Sequence, residues 1–388
     1  MPSNDIASPL LLRSRAPAVT QRIANPINFI LLGVVYASWA ARVPAVRDVL
    51  QLDAAELSLA LLGGGAGAVL SFPVAAGLVR WLGARLASCV AGLTMMLSLL
   101  CIALSPSLPW LAASVFLFGA STSCFDVSIN ALGAVSEKAA GRSIMSMLHA
   151  WFCAGALAGA LLGSAAASAG LPVLQHFTLL ALPMAALQLI NMRWLPRDEP
   201  GPSAHAPLYA LPHGPLAMLG IIGFFGAMAE GSVGDWSGVY LKDILHAADG
   251  VAPLAFAGFT GMMLVARLFC DRLKDRFGAR RVVACSALCA AAGLGLATAA
   301  LNLPLTLAGF ALTGAGLAAV FPFVFSAGGR HGPTALAGVA TLSYSGSLLG
   351  PPVIGMIAHG QGMQTAIGFL ALVCVAISLA SLKTPALD

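Results

Sequence analysis

Four titratable side chains sit where they are costly to keep. Asp126, His149, Glu230 and Asp235 lie inside long apolar runs. Ionisable groups in such surroundings are functional candidates by default, because an apolar medium penalises charge. Asp126 lies about nine residues, or ~13 Å along a helix, from the end of its run; His149 lies about seven residues, or ~10 Å, into the next. The short polar segment 136–142 makes these runs an antiparallel hairpin, so the two side chains can share a depth. A proton-sensitive pair is expected, since imidazole changes charge near neutral pH and a buried carboxylate responds strongly to its neighbours. The bland alternative has Asp126 bonding Asn130 one turn on, and His149 satisfying a backbone carbonyl. Glu230 lies about fourteen residues, or ~21 Å, into its run, placed to meet a solute or a proton. Its alternative role is to pin the glycine-rich stretch Gly231 to Gly234. Arg42 and Asp235 reach similar heights in their runs and are expected to pair as a gate, unless Arg42 snorkels to the headgroups. Trp39, Trp236 and Trp151 could stack on a ring-shaped solute, with Asn130 as a polar contact, although Trp is also common at membrane interfaces. Arg267, Asp271 and Asp275 surround one end of a later run and are expected to form a gating charge network.

The elements that must position these groups follow from composition. Of 388 residues, 59% are hydrophobic and 9% charged, against roughly 25% charged in soluble domains. A mean hydropathy of +0.90 calls for lipid as solvent. A bilayer core of about 30 Å needs roughly 20 apolar residues per helix. Candidate spans fall near 23–46, 54–78, 86–105, 109–135, 143–168, 172–193, 216–241, 252–270, 282–300, 304–328, 334–357 and 363–382, which makes twelve. About sixteen of the 20 Lys and Arg residues then lie on one side, with Arg47 and Lys242 on the other. That bias predicts both termini in the cytoplasm and a multi-pass inner-membrane protein.

Several functions are excluded or disfavoured. The net charge of +5 is scattered in short clusters between apolar runs, with no basic stripe for nucleic acid. Cys285 and Cys289 lie one turn apart without a His or acidic neighbour, so no metal site and no cofactor are expected. The run Gly63-Gly64-Gly65-Ala66-Gly67 lies within a span with no preceding strand, and reads as helix packing rather than a phosphate loop. No HExxH, GxSxG or Walker lysine occurs. The expected partners are a small-molecule substrate, a coupling ion (proton, with sodium as the alternative) and the bilayer.

The chain also divides. The stretch from Arg193 to Pro215 carries six prolines and the charges Arg197, Asp198 and Glu199, which reads as a linker. The expected organisation is a polar tail 1–22, a six-helix unit 23–193, a linker 194–215, a second six-helix unit 216–382 and a tail 383–388. Gly83-Ala84-Arg85 and Gly278-Ala279-Arg280 follow the second and eighth spans at an offset of 195 residues; Phe118-Gly119-Ala120 and Thr313-Gly314-Ala315 repeat that offset. Two related six-span units are a transporter architecture.

The segment Leu273-Lys274-Asp275-Arg276-Phe277-Gly278-Ala279-Arg280-Arg281 resembles the loop signature of the major facilitator superfamily. The first-half copy, Leu78-Val79-Arg80-Trp81-Leu82-Gly83-Ala84-Arg85, departs from it, with Arg80 where Asp is usual. Five further segments resemble the bacterial YbjJ-like branch, related to fucose permeases: Ser38 to Pro44, Asp126 to Asn130, Met147 to Ala150, Ala229 to Trp236, and Gly350-Pro351-Pro352. The resemblance implies an all-α fold of two pseudo-symmetric six-helix bundles around a central cavity, with spans one, four, seven and ten lining it and access alternating between its faces. It also implies a proton role for Asp126, which aligns with an acidic residue of fucose-permease-like carriers, and a gating role for the signature loop, including Arg276 and Arg280. A proton-coupled carrier of a small polar solute, such as a sugar, is the leading expectation. A proton-driven exporter and a non-transporting membrane sensor are the alternatives; Gly159-Ala160 lacks the Gly-Pro pair frequent in the fifth span of exporters of this superfamily.

Overall fold

The computed structural model describes residues 18–140, 144–196 and 212–388. Most of the N-terminal tail, including Arg13 and Arg15, and most of the proline-rich linker, including Arg197, Asp198 and Glu199, lie outside the described residues. The elements are α1 (Ala18–Leu50), α2 (Ala54–Leu70), α3 (Phe72–Ala103), α4 (Leu108–Ala140), α5 (Met145–Ser168), α6 (Val173–Asn191), α7 (Pro215–Leu245), α8 (Leu254–Phe277), α9 (Ala279–Ala299), α10 (Leu303–Leu317), α11 (Val320–Arg330), α12 (Pro333–Gln361) and α13 (Met363–Leu382). Among the described residues, ten helical stretches are long and apolar enough to cross a membrane, with α10 and α11 acting as one of them. The remaining two crossings are α12, at 29 residues, and α2 continued by the start of α3. In lipid every backbone polar group must be satisfied within the span, which leaves the helix as the only form these apolar runs can take.

Two of the twelve expected spans are broken. The second ends as α2 at Leu70 and resumes at Phe72. The tenth is interrupted at Ala318 and Ala319. The helix beginning at Phe72 then turns at Gly83, whose φ of 76° and ψ of 155° are not helical. Gly278 repeats that turn with φ 81° and ψ 151°. Positive φ is inexpensive only for glycine, which is why the same tripeptide closes the second and eighth spans.

The repeat extends to packing. α1 packs on α5 as α7 packs on α12; α2 packs on α4 as α8 packs on α10; α3 packs on α4 and α6 as α9 packs on α10 and α13. A Cβ on Gly119 would stand 1.9 Å from the Gly64 carbonyl oxygen, and one on Gly314 would stand 1.9 Å from that of Phe259. Both pairs keep the offset of 195 residues. Between helices in lipid, close approach of backbones replaces the hydrophobic driving force, so these glycines set the crossing points of each half.

Counting crossings from Ala18, both described ends of the chain lie on one side of the bundle, here the terminal face. The α1–α2, α7–α8 and α12–α13 connections lie on the opposite, far face. The halves meet where α2 packs on α12, α5 on α8, and α1 on α7.

Candidate functional site

The far face is tied across the halves by charge. Arg47, near the end of α1, donates from both terminal nitrogens to Asp243 of α7 at 2.7 Å and pairs with Asp48 at 3.1 Å. Lys242 bonds Asp48 across the seam and pairs with Asp249 at 2.6 Å. Ser164 donates to the Gly250 carbonyl at 2.5 Å, and His359 approaches Asp53 at 3.8 Å. Packing is tight beside these contacts, since a Cβ on Gly355 would lie 1.4 Å from Ser58 Oγ and 2.7 Å from Trp236.

The sequence places the gate one to two turns deeper, on Arg42 and Asp235, and the structure pairs these residues differently. Arg42 is buried and donates to the Leu171 carbonyl at 2.5 Å; its electrostatic partner is Asp249. Asp235 is half-buried, within electrostatic reach of Tyr36, and makes no ion pair among the described residues. Arg47 and Lys242, which the Lys and Arg count places on this side, close this face instead, together with Asp48 and Asp243. Their signal was available: two basic and two acidic residues at the ends of pseudo-equivalent spans one and seven.

A second polar layer lies near the middle of the helices. It brings together Asp126 of α4, His149 and Cys153 of α5, Glu230 of α7, Arg267 of α8, Tyr36 of α1 and Tyr344 of α12. Arg267 donates to Cys153 Sγ at 2.7 Å, across the halves. Glu230 lies within electrostatic reach of Arg267 but not at ion-pair distance, and its Oε2 is buried without a partner, as is Arg267 Nε. His149 packs edge-on against Phe29, with ring centroids 5.4 Å apart, and also feels Arg267. Tyr344 packs at a tilt against Phe72 of the opposite half, with ring centroids 5.4 Å apart, and lies within reach of both Asp126 and Glu230. Asp126, His149, Glu230 and Arg267 all retain intermediate exposure.

Several expected partnerships are absent. Asp126 is not bonded to His149; its Oδ1 accepts from Asn130 Nδ2 at 2.9 Å, and so does its backbone carbonyl. That is the bland alternative, set by i to i+4 spacing on one helix. Arg267 turns inward to the central layer, whereas Asp271 and Asp275 are exposed on the terminal side; no ion pair links the three among the described residues. Trp39 is 3% exposed and packs near Phe118. Trp236 is fully buried and donates Nε1–H to the Pro351 carbonyl at 3.1 Å. Neither indole faces the space beside Glu230, and Trp151 is exposed at the outer surface of α5. Tyr36 and Tyr344 carry no charge, so the criterion of charge in an apolar run does not single them out.

The signature loop lies on the terminal face. Arg276 stacks over Phe277, 5.2 Å from its centroid, and Arg280 bonds Asp388 through its backbone N–H and its guanidinium. Burial raises the Asp388 carboxyl, but the bonds from Arg280 and from the Ala279 backbone outweigh it and hold it below the usual carboxylate range. In the first-half copy, Arg80 lies over Trp81 at 5.5 Å.

Two repeated helical units, tied at one face and holding unpaired charges between them, have the architecture of a membrane carrier. Residues 217–386 match the Major Facilitator Superfamily. The chain is 34% identical over 343 residues to an uncharacterized transporter of Sinorhizobium fredii, covering 87% of this chain and 91% of that one. It is 31% identical to an uncharacterized MFS-type transporter of Yersinia pestis (93% and 95% covered), and 32% identical to the membrane protein MosC of Rhizobium meliloti (92% and 88% covered). Among solved structures, a point mutant of the nucleoside transporter NupG matches with a TM-score of 0.77 at 14% identity, covering 94% of this chain and all of that one. A bacterial homolog of the human lysosomal transporter Spinster, in an inward-facing and occupied conformation, matches with a TM-score of 0.71 at 13% identity, covering 95% and 96%. The chain belongs to the major facilitator superfamily. It is a membrane transporter, not an enzyme.

Proposed function

We propose that the protein is a proton-coupled secondary transporter that moves a small polar solute across the bacterial inner membrane by alternating access, in a branch related to fucose permeases. The observation that carries this reading is the central layer. Glu230 and Arg267 are enclosed between two repeated helical units, each with a buried atom left without a partner. Functional units at 23–193 and 216–382, joined by 194–215, would rock about it. The far face is bridged by Arg47–Asp243 and Lys242–Asp48, so the exposure that remains at the centre points to an opening on the terminal face. The Lys and Arg bias supports a cytoplasmic terminal face, hence an inward-open state. Glu230 is the first candidate for proton coupling, followed by Asp126 and His149; Asn130 would act through Asp126. Arg276, Arg280, Asp271 and Asp275 would act on the terminal-face gate, and Arg42 and Asp235 on the far-face gate as it opens.

The test is uptake into proteoliposomes under an imposed pH gradient, with a sodium gradient in parallel. Accumulation driven by protons and lost in Glu230→Gln is expected, with downhill exchange retained. Accumulation driven only by sodium, or unchanged in Glu230→Gln, would refute the coupling assignment.

A further inference from the structure

We infer that the solute carries a carboxylate, and that Arg267 is the residue that binds it. The inference rests on the carrier reading above and deepens it to a substrate class.

A guanidinium near the middle of a span is among the most expensive groups a membrane protein can hold, and such groups nearly always pair with a carboxylate or carbonyls. Arg267 sits within α8 and is the only described Arg or Lys in the central layer. Its one hydrogen bond goes to the Cys153 thiol at 2.7 Å, and a thiol is a weak acceptor for one of five N–H donors. Nε is buried without a partner. The charged groups facing it are Glu230 from α7 and His149 from α5, each within electrostatic reach and neither bonded to it. Asp126 is held by Asn130 on α4. The protein therefore keeps a permanent positive charge at its centre and withholds a protein carboxylate from it.

The fork of a guanidinium matches a carboxylate through two parallel bonds, and these charge-assisted bonds are roughly twice as strong as neutral ones. A solute carboxylate can supply what Cys153 does not. Glu230 Oε2 then remains for a hydroxyl or ammonium of the same solute, and the hydroxyls of Tyr36 and Tyr344, which have no hydrogen-bond partner among the described residues, can take further polar groups. Because Cys153 belongs to the opposite half, replacing its sulfur by a solute oxygen would also release one contact that holds the halves together at this depth.

The experiment is a thermal-stability titration of the purified full chain with three probes of similar size: gluconate, its neutral amide and glucose. Alanine is added as an amino-acid carboxylate. Binding raises the melting temperature by mass action. A shift with gluconate or alanine and none with the amide or glucose is expected, and which acid binds separates hydroxy acids from amino acids. Arg267→Lys should weaken acid binding about tenfold or more, the value of a charged hydrogen bond, and Arg267→Gln should abolish the preference for acid over amide. Arg267→Lys guards against misfolding of the neutral variant. Stabilisation by the neutral probes alone, no shift with either acid, or acid affinity unchanged in Arg267→Lys and Arg267→Gln would overturn the inference. Flux of a neutral solute would do so while leaving the carrier reading intact. Acid binding without flux into liposomes would uphold the site and overturn the carrier reading.

Discussion

The far face and the central layer treat charge in opposite ways. At the far face Arg47, Asp48, Lys242 and Asp243 are matched across the halves and lie near water. At the centre Glu230 and Arg267 belong to one half, sit in protein, and are left apart. A surface ion pair is worth about 0–1 kcal/mol, which suits a contact that must open in every cycle. An enclosed charge without a partner costs several kcal/mol, and only use can justify keeping it. The difference separates a latch from a binding site.

The strongest way to break this contrast is steric. Gly355→Ala would drive a Cβ into Ser58 and Trp236, where α12 meets α2 and α7 at the far face. Overpacking typically costs about 1–3 kcal/mol. Falling on one conformation alone, it should shift the ratio of the two states by roughly 5- to 150-fold toward the one open at the far face. Distance measurements between labels placed on the α1–α2 and α7–α8 connections would read that shift, and an unmoved distribution would show that this seam does not separate in transport.

A smaller effect tests the central layer. Asp126→Asn keeps a polar group beside Asn130, whereas Glu230→Gln removes a carboxylate within electrostatic reach of Arg267. If pairing decides function, Glu230→Gln should lower proton-driven accumulation about tenfold or more, and Asp126→Asn by less. Equal losses would show that Asp126 couples protons despite its bond to Asn130. At the far face, Arg47→Asp combined with Asp243→Arg should restore most of the state balance that either change disturbs. Each single change is expected to move the populations up to about fivefold, as befits an exposed pair.

The sequence and the structure agree where one-dimensional information is enough. A span announces itself by about 20 apolar residues, so twelve crossings were legible, and the offset of 195 residues between Gly83 and Gly278 became a shared turn geometry. The breaks after Leu70 and at Ala318–Ala319 were not legible, because a helix and its interruption are equally apolar there. Charge in an apolar run identified Asp126, His149, Glu230 and Asp235 as unusual, and depth could be counted at about 1.5 Å per residue. Rotation about the helix axis could not be counted. That is why Asp126 and His149, although well matched in depth, face different partners, and why Arg42 meets Leu171 rather than Asp235. Trp39 and Trp236 lie in the packed interior for the same reason, because the helix turns them there. Arg267 was placed at a helix end with Asp271 and Asp275, since a span boundary drawn at residue 270 leaves no way to see that α8 runs on to Phe277.

The terminal face offers the mildest test, because its paired charge resembles the far-face latch but joins elements of one half. Asp388 accepts from Arg280 and caps the turn at Gly278. Its carboxyl is held below its ordinary value, so the sign of its contribution is determined. Stabilisation is present above the ordinary carboxylate range and is lost as pH falls through the depressed folded value. Asp388→Asn should therefore lower the melting temperature by about 1 °C or less near neutral pH, as expected for an exposed, salt-screened pair. It should make no difference at the acid end of the profile. Because Arg280 belongs to the second half and Asp388 to the tail that follows it, the contact does not cross between the halves and the far-face label distances should not move. A change in those distances would mean that this contact takes part in the cycle and is not merely a cap on α9.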